Sequence, residues 1–382
     1  MKSEHAKSEH ASAGEGMVEA AARRARHLPA RLCRRRGLLG GLGLLMGVGA
    51  GVAGYAIFRE PLHVRMDAIF REPLHVRMDR LEIALPNANG HLPARGLRIL
   101  HLSDTHFRGE NWREQAKIDS IRRACAGLDY DLLIHTGDFL HYDSGLPNVL
   151  VLLDSLPRPR LGAYAVFGNH DYTTYSHKEM FRRSWARFQG KDERFKKPLS
   201  WVDRARLFAR FWYHFVNAPL DLKRTGHNDV ATLEQELQAR NIQTLHNRYI
   251  RLSHAPRRPD GVDIYIAGVD DVTEGRPHLY QALGEIPYDA PTILLSHNPD
   301  ILQEPGIEQV DLVLAGHTHG GQVVLPWIGA AHTQSAFLRR AEVAGHLRRG
   351  KTQVYITRGI GEGIPVRLGA APQITLITLL SS

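Results

Sequence analysis

The chain of 382 residues is 43% apolar, enough for a sizeable core, and carries a formal net charge of +9. The excess is local: residues 1–36 hold nine Lys/Arg against four Glu, net +5, residues 178–224 hold thirteen against five acids, net +8, and the remainder is therefore net −4. Base confined to an arm and one internal segment suits an anionic membrane surface or acidic substrate and argues against a nucleic-acid partner, while two cysteines, Cys33 and Cys125, argue against a disulfide framework or a thiolate metal site.

In chain order, residues 1–37 form a basic arm expected on the cytoplasmic side. "LLGGLGLLMGVGAGVAGYAIF", residues 38–58, contains no charge and has the length needed to cross a hydrocarbon core of about 30 Å. Arg34, Arg35 and Arg36 stand directly before it. This asymmetry predicts a single-pass signal anchor, with the rest of the chain on the extracytoplasmic side. "RRRGLLG" is also loosely similar to a twin-arginine export signal, and Val52, Ala53 and Ala56 leave cleavage open. A buried Gly-rich helix is the alternative reading. "KSEHA" occurs at 2–6 and 7–11, and "AIFREPLHVRMD" at 56–67 and 68–79. Met17 as the true start would remove the first duplication. Two identical copies are too few for a solenoid, so residues 59–80 read as a duplicated tether and 81–382 as the folded domain.

Beyond the tether come short apolar runs: "LRILHLSD" (97–104), "DLLIHTGD" (131–138), "AYAVFGNHD" (163–171), "VDIYIAGVD" (262–270), "TILLSHNPD" (292–300), "DLVLAGHTH" (311–319), "QVYITRG" (353–359) and "QITLITLL" (373–380). Before them "RLEIALP" reads as a first strand. Their length and β-branched content predict buried strands, with helical stretches such as Trp112 to Leu128 between, hence an α/β domain.

Five runs end in ligand-type side chains within a turn, where open α/β sheets place their sites. Asp104 and His106 stand two apart, Asp138 closes "HTGD", Asn169 and His170 close "GNHD", His297 closes "LSHN", and His317 and His319 again stand two apart. Extended strand ends would point each two-apart pair to one side. Gly137, Gly168, Gly316, Gly320 and Gly321 permit sharp turns or close approach. With 22 histidines in the chain, a single imidazole carries little weight, and His101, His135, His141, His254 and His278 are read as core or surface. The set points to bound metal: imidazole and carboxylate suit Mn, Fe or Zn, and a carboxylate can bridge two cations.

The ordered series Asp-x-His, Gly-Asp, Gly-Asn-His-Asp, His and Gly-His-x-His resembles the calcineurin-like metallophosphoesterases over about residues 97–380. "LSDTHF", "GVDD", "LSHNPD" and "GHTHGGQ" most resemble the membrane-anchored bacterial branch that includes phosphodiesterases and UDP-diacylglucosamine pyrophosphatases. The resemblance implies a four-layer α/β sandwich of two mixed β-sheets flanked by helices, here with an N-terminal transmembrane helix and a helical insertion. It also implies two divalent metal ions, one on Asp104, His106 and His319, the other on Asn169, His297 and His317, with Asp138 bridging. His170 would stabilise or protonate the leaving oxygen, oriented by Asp171. The implied reaction is cleavage of a phosphodiester or pyrophosphate bond by metal-activated hydroxide, on a lipid-linked or membrane-proximal substrate. A UDP-2,3-diacylglucosamine-type pyrophosphatase of lipid A synthesis is one alternative, although export would separate it from a cytoplasmic UDP-linked substrate. A non-catalytic metal-binding scaffold is another, and the complete ligand series argues against it.

The insertion at about 177–230 mixes base with Phe181, Trp185, Phe188, Trp201, Phe208, Phe211, Trp212 and Tyr213. Phe181, Trp185 and Phe188 recur at helical spacing. The segment reads as a lid touching lipid or as a cap that packs its aromatics on the domain. Arg358, in "YITRGIGEGIP", is expected to contact phosphate or to stabilise a turn.

Overall fold

The structure, a computed structural model, describes residues 72–382 except 110, 192–199, 204–205, 208–209, 212–222, 257, 326–328 and 364–365. The arm, the expected anchor at 38–58 and the first part of the tether lie outside these. No helix among the described residues is long and apolar enough to cross a membrane.

The domain begins before residue 81. A short 3-10 turn, Glu72–Leu74, leads into β1, Arg77–Leu85, so most of the second duplicated copy is folded rather than tether. The cause is pairing: β1 runs parallel to the last strand from Arg77 opposite Gln373 to Leu85 opposite Ser381, and Val76 is already in the core.

All eight apolar runs form strands. β2 (Leu97–Leu102), β3 (Leu132–Thr136) and β4 (Gly162–Val166) are almost wholly buried. Between them lie helices α1 (Trp112–Cys125) and α2 (Leu146–Asp154). Helix α1 starts at Asn111, whose side chain accepts from the Arg113 backbone N–H. It buries Ile118, Ile121 and Cys125 on one face and stops before Gly127, whose φ of 69° ends the helical path. The one-turn helix α3 (Asn169–Tyr172) is followed by a hairpin of β5 (Thr173–Ser176) with β6 (Lys223–His227). Helix α4 (His177–Lys191) lies between those strands and carries the predicted Phe181, Trp185 and Phe188. The ring centres of Trp185 and Phe188 lie 4.7 and 5.6 Å from that of the buried Phe211, so some of the insertion's aromatics pack on one another. Trp201 is exposed, while Phe208, Trp212 and Tyr213 fall outside the described residues.

Helix α5 (Val230–Ala239) returns the chain to β7 (Ile242–Thr244) and β8 (Arg248–His254). Then come β9 (Val262–Gly268), α6 (Leu279–Leu283), β10 (Thr292–Leu295) and β11 (Leu312–Ala315). A small pair, β12 (Val324–Leu325) and β13 (Gly329–Ala330), precedes β14 (Gly345–Arg349), β15 (Thr352–Ile356) and β16 (Gln373–Ser381).

Two six-stranded mixed sheets result, in the orders β1-β16-β2-β3-β4-β7 and β14-β15-β11-β10-β9-β8. Their facing side chains form one apolar cluster, including Ile99, Ile134, Val166, Ile266, Leu295 and Leu314. A second cluster packs α1, α2 and α5 on the outer face of the first sheet, and a third packs α6 on the second. Helix, sheet, sheet, helix is the expected layer order. Because β2, β3 and β4 are mutually parallel, as are β9, β10, β11 and β15, the turns leaving them gather at one edge.

Candidate metal centre

The turns are tied together before any side chain acts. Asp104 N donates to Gly137 O at 2.9 Å and His106 N to Asp138 O at 3.0 Å, joining the ends of β2 and β3. Gly316 N donates to His297 O at 3.0 Å, and Ile360 N to Ser103 O at 3.1 Å, which links the two sheets. The side chains converge for a different reason from strand alternation. Asp104, His106, Asp138, His317 and His319 have φ of 53°, 47°, 55°, 68° and 52°, half of the ten described non-glycine residues with positive φ. Such strain survives only where surrounding contacts enforce it, and it concentrates at functional sites. Close approach sets the glycines: a Cβ on Gly168 would strike the Asp138 carboxylate and the His297 ring, and one on Gly316 would strike Ser103 and Asp104.

Six of the seven predicted ligand residues bring their donor atoms together here. Asp104, His106 and His319 form one group of converging donor atoms and Asp138, His297 and His317 another. His106 Nε2 and His319 Nε2 are 3.0 Å apart, and Asp104 Oδ1 lies 3.8 and 3.7 Å from them. In the second group His297 Nε2 is 3.2 Å from His317 Nδ1. Asp138 Oδ2 touches both groups, 3.2 Å from His106 Nε2 and 3.1 Å from His297 Nε2. Two ligands each about 2.1 Å from one ion are separated by roughly 3.0–3.3 Å at usual coordination angles, so the spacing fits cations. Asn169 supplies a second test of fit: it is 3% exposed, yet its Oδ1 has no hydrogen-bond partner, as a buried carbonyl awaiting a cation would.

The outer ring nitrogens support this arrangement. His297 Nδ1 lies 2.8 Å from Thr136 O and so carries the proton it donates there, turning Nε2 toward Asp138. Burial drives His106 and His319 well below the ordinary imidazole pKa, and lowers His317 to about 3 and His170 to about 4. Burial also raises Asp104, to about 6. It acts likewise on Asp138, but the adjacent His297 and His170 outweigh it and hold that carboxyl below its usual range. At His297 burial disfavours the charge, and the Asp138 carboxylate reverses the balance and raises the pKa.

His170 sits beside the centre. Its backbone N donates to Asp138 Oδ1 at 2.8 Å, and its ring centre is 4.6 Å from that of His106. Asp171 occupies a different position from the one expected of a residue orienting that ring. Its carboxylate accepts the backbone N–H groups of Asp138 (2.8 Å), Gly168 (2.9 Å) and Leu140 (3.0 Å), fixing the turns that carry Asp138 and Asn169. His141, read from sequence as unremarkable, is buried and stacks on His170 with ring centres 4.8 Å apart. Its donor atoms group with those of His106 and His170, and its position three residues past Asp138 is the signal that could have found it. Asn228 clasps this side, donating to His170 O at 2.8 Å.

Arg367 has no motif to announce it. It is fully buried and donates to Ala370 O and Arg358 O, both at 2.8 Å, while Nη2 lies 3.3 Å from His319 Nδ1. Arg358 takes the turn-stabilising option, bonding Ala371 O and pairing with Asp79 at 3.1 Å. Of the other histidines, His101 is buried between the sheets, His135 is buried against Phe139 on the outer face of the first sheet, and His254 and His278 are exposed.

Residues 97–321 match the family model of the calcineurin-like phosphoesterases, and the chain belongs to that family. It is a metal-dependent phosphoester hydrolase. The chain is similar to the UDP-2,3-diacylglucosamine pyrophosphatase LpxG of Chlamydia muridarum, at 28% identity over 87% of this chain and 98% of that protein. It is 34% identical to the metallophosphoesterase YkuE of Bacillus subtilis, over 75% of this chain and 80% of YkuE. A third relative is the transmembrane protein with metallophosphoesterase domain of Bos taurus, at 28% identity over 74% of this chain and 53% of that protein.

Proposed function

We propose that the chain is a two-cation phosphohydrolase acting on a phosphodiester or pyrophosphate bond of a lipid-linked or membrane-proximal substrate. The observation that carries this reading is Asp138 Oδ2, one oxygen within 3.2 Å of an imidazole from each donor group. Asp104, His106 and His319 would hold one cation, Asn169, His297 and His317 the second, and Asp138 would serve both. Divalent cations at those positions supply Lewis-acid stabilisation of phosphoryl charge and acidify water, with Mn, Fe or Zn suited to the donor set. The chain's own contribution is orientation and hydrogen bonding. Asp171 holds the Asp138 and Asn169 turns, and the His170 ring, seated against His106, stabilises the departing oxygen by donating a hydrogen bond from a ring N–H.

Membrane tethering is part of the proposal. It is supported by the uncharged run at 38–58 behind three arginines and by two relatives whose names carry a lipid substrate or a transmembrane protein. We place the domain on the extracytoplasmic side of an inner membrane because of those arginines, and the insertion is then available as a cap that admits lipid. A second reading, hydrolysis of UDP-2,3-diacylglucosamine itself, is favoured by the similarity to LpxG over 98% of that protein. It requires the opposite sidedness.

Manganese-loaded protein assayed against bis-p-nitrophenyl phosphate, p-nitrophenyl phosphate, UDP-2,3-diacylglucosamine and phospholipids separates the readings. Turnover of the first with none of the third supports the broader one. No turnover of any substrate with Mn, Fe or Zn would overturn both.

A further inference from the structure

Arg108 is a cation with no acidic partner among the described residues, at the rim of this centre. It lies two residues beyond His106 on the same turn and is half-buried. Its backbone is fixed on both sides: N donates to Glu114 Oε1 at 2.9 Å, and O accepts from Ser144 Oγ. The guanidinium is held through Nη2 alone, which donates to Gly363 O at 2.6 Å and Glu362 O at 3.4 Å. These are neutral carbonyls. The Glu362 carboxylate is turned to Lys117, 2.7 Å away, and the Glu114 carboxylate takes backbone N–H groups and the Asn148 amide. Among the described residues no acid pairs with Arg108. Nε and Nη1 have no protein acceptor among them either.

A partly desolvated guanidinium left uncompensated costs free energy, and its planar fork suits a carboxylate or a phosphate, of which a phosphohydrolase substrate brings the phosphate. Its location says which phosphate. Arg108 leaves the turn two residues after His106, whose ring centre is 4.6 Å from that of His170. The cation therefore stands on the side of the centre where the departing group leaves. A substrate with one phosphorus is neutralised by the metal centre itself. In a diphosphate the second phosphate is one bridging oxygen away, on that departing side, and would otherwise carry its charge into a half-buried rim.

We infer that Arg108 binds the second phosphate of a diphosphate-linked substrate, making this site selective for pyrophosphate bonds over single-phosphorus esters. This rests on the two-cation reading of the site.

The test is binding, which does not depend on turnover. The full chain loaded with manganese is titrated calorimetrically with methylenediphosphonate and with inorganic phosphate, for the wild type, Arg108→Ala and Arg108→Lys, with metal content measured in each. Arg108→Ala is expected to weaken methylenediphosphonate about tenfold or more while changing phosphate by less than about twofold, and Arg108→Lys to recover part of the loss. Equal weakening of both ligands, no change in either, loss of metal from the alanine variant, or a wild type that shows no preference for the diphosphonate would each overturn the inference. A wild type that keeps this preference but hydrolyses no ester would remove the proposed function and leave the Arg108 subsite standing.

Discussion

The Nε2 atoms of His106 and His319, separated by 213 residues in sequence, lie 3.0 Å apart at the junction of the two sheets. Two imidazole lone pairs at that distance repel unless a proton or a cation stands between them, and Asp104 Oδ1 completes a three-donor face. His319→Ala should therefore lose about one of two bound metal equivalents and lower kcat/KM by about a hundredfold or more, since even loss of an outer partner of a ligand costs about 10–100-fold. Elemental analysis after gel filtration checks it. Two equivalents retained in the variant would remove His319 from the ligand set.

His170 should behave differently, because its backbone N–H, which substitution by alanine leaves in place, makes its bond to Asp138. His170→Ala is expected to keep both metals and to lose about a hundredfold or more in kcat on an ester with a poorly departing alkoxide. With p-nitrophenolate, which leaves without help, the loss should be much smaller. A uniform loss across leaving groups, or a loss of metal, would contradict stabilisation of the departing oxygen by this ring.

Asp300 connects the two histidines of the second group. Its backbone N donates to Asn298 Oδ1 at 2.9 Å, next to His297, and its carboxylate accepts Ser335 Oγ and the Ala336 N–H, the latter at 3.1 Å. That loop carries Gln334, whose side-chain Nε2 donates to Thr318 O, next to His317, at 3.5 Å. Asp300→Ala should weaken one of two metal equivalents by about 10–100-fold in a chelator competition and leave the other unaffected. Unchanged retention of both would show that the loop holds His317 without Asp300.

The strands were legible because each is apolar and β-branched over its whole buried length, as in Leu132–Thr136. Edge strand β8 was not: only Leu252 of its seven residues is buried, so "RYIRLSH" has no apolar run to reveal it. At the site, residue types in serial turns exposed Asp104, His106, Asp138, Asn169, His297, His317 and His319, while their left-handed backbone was invisible, since carboxylates and imidazoles do not signal positive φ as glycine does. Arg367 and His141 escaped because tertiary closure alone gives them their places. Arg367 is surface-like in sequence and becomes buried only when the turns after β11 and β15 fold over it. The same holds for Asp171, whose neighbour in sequence is His170 but whose partners are backbone groups of its own turn and of the turn after β3.

The buried pair of Lys117 on α1 with Glu362 predicts a pH dependence of stability distinct from the metal site. Burial lowers Lys117 to about 8 from its ordinary 10.5, with Glu362 opposing. Below about 8 the ammonium is charged in both folded and unfolded chains and contributes no slope. Between about 8 and 10.5 the unfolded chain retains a proton that the folded one has released, so stability rises with pH across that window. The double variant Lys117→Met, Glu362→Gln lacks this response. Denaturant unfolding of both proteins at neutral pH and at about pH 10 should show the wild type gaining on the variant by on the order of 1 kcal/mol or more. A stability difference that stays flat, or moves the other way, would mean that Lys117 keeps its proton in the folded chain throughout that range.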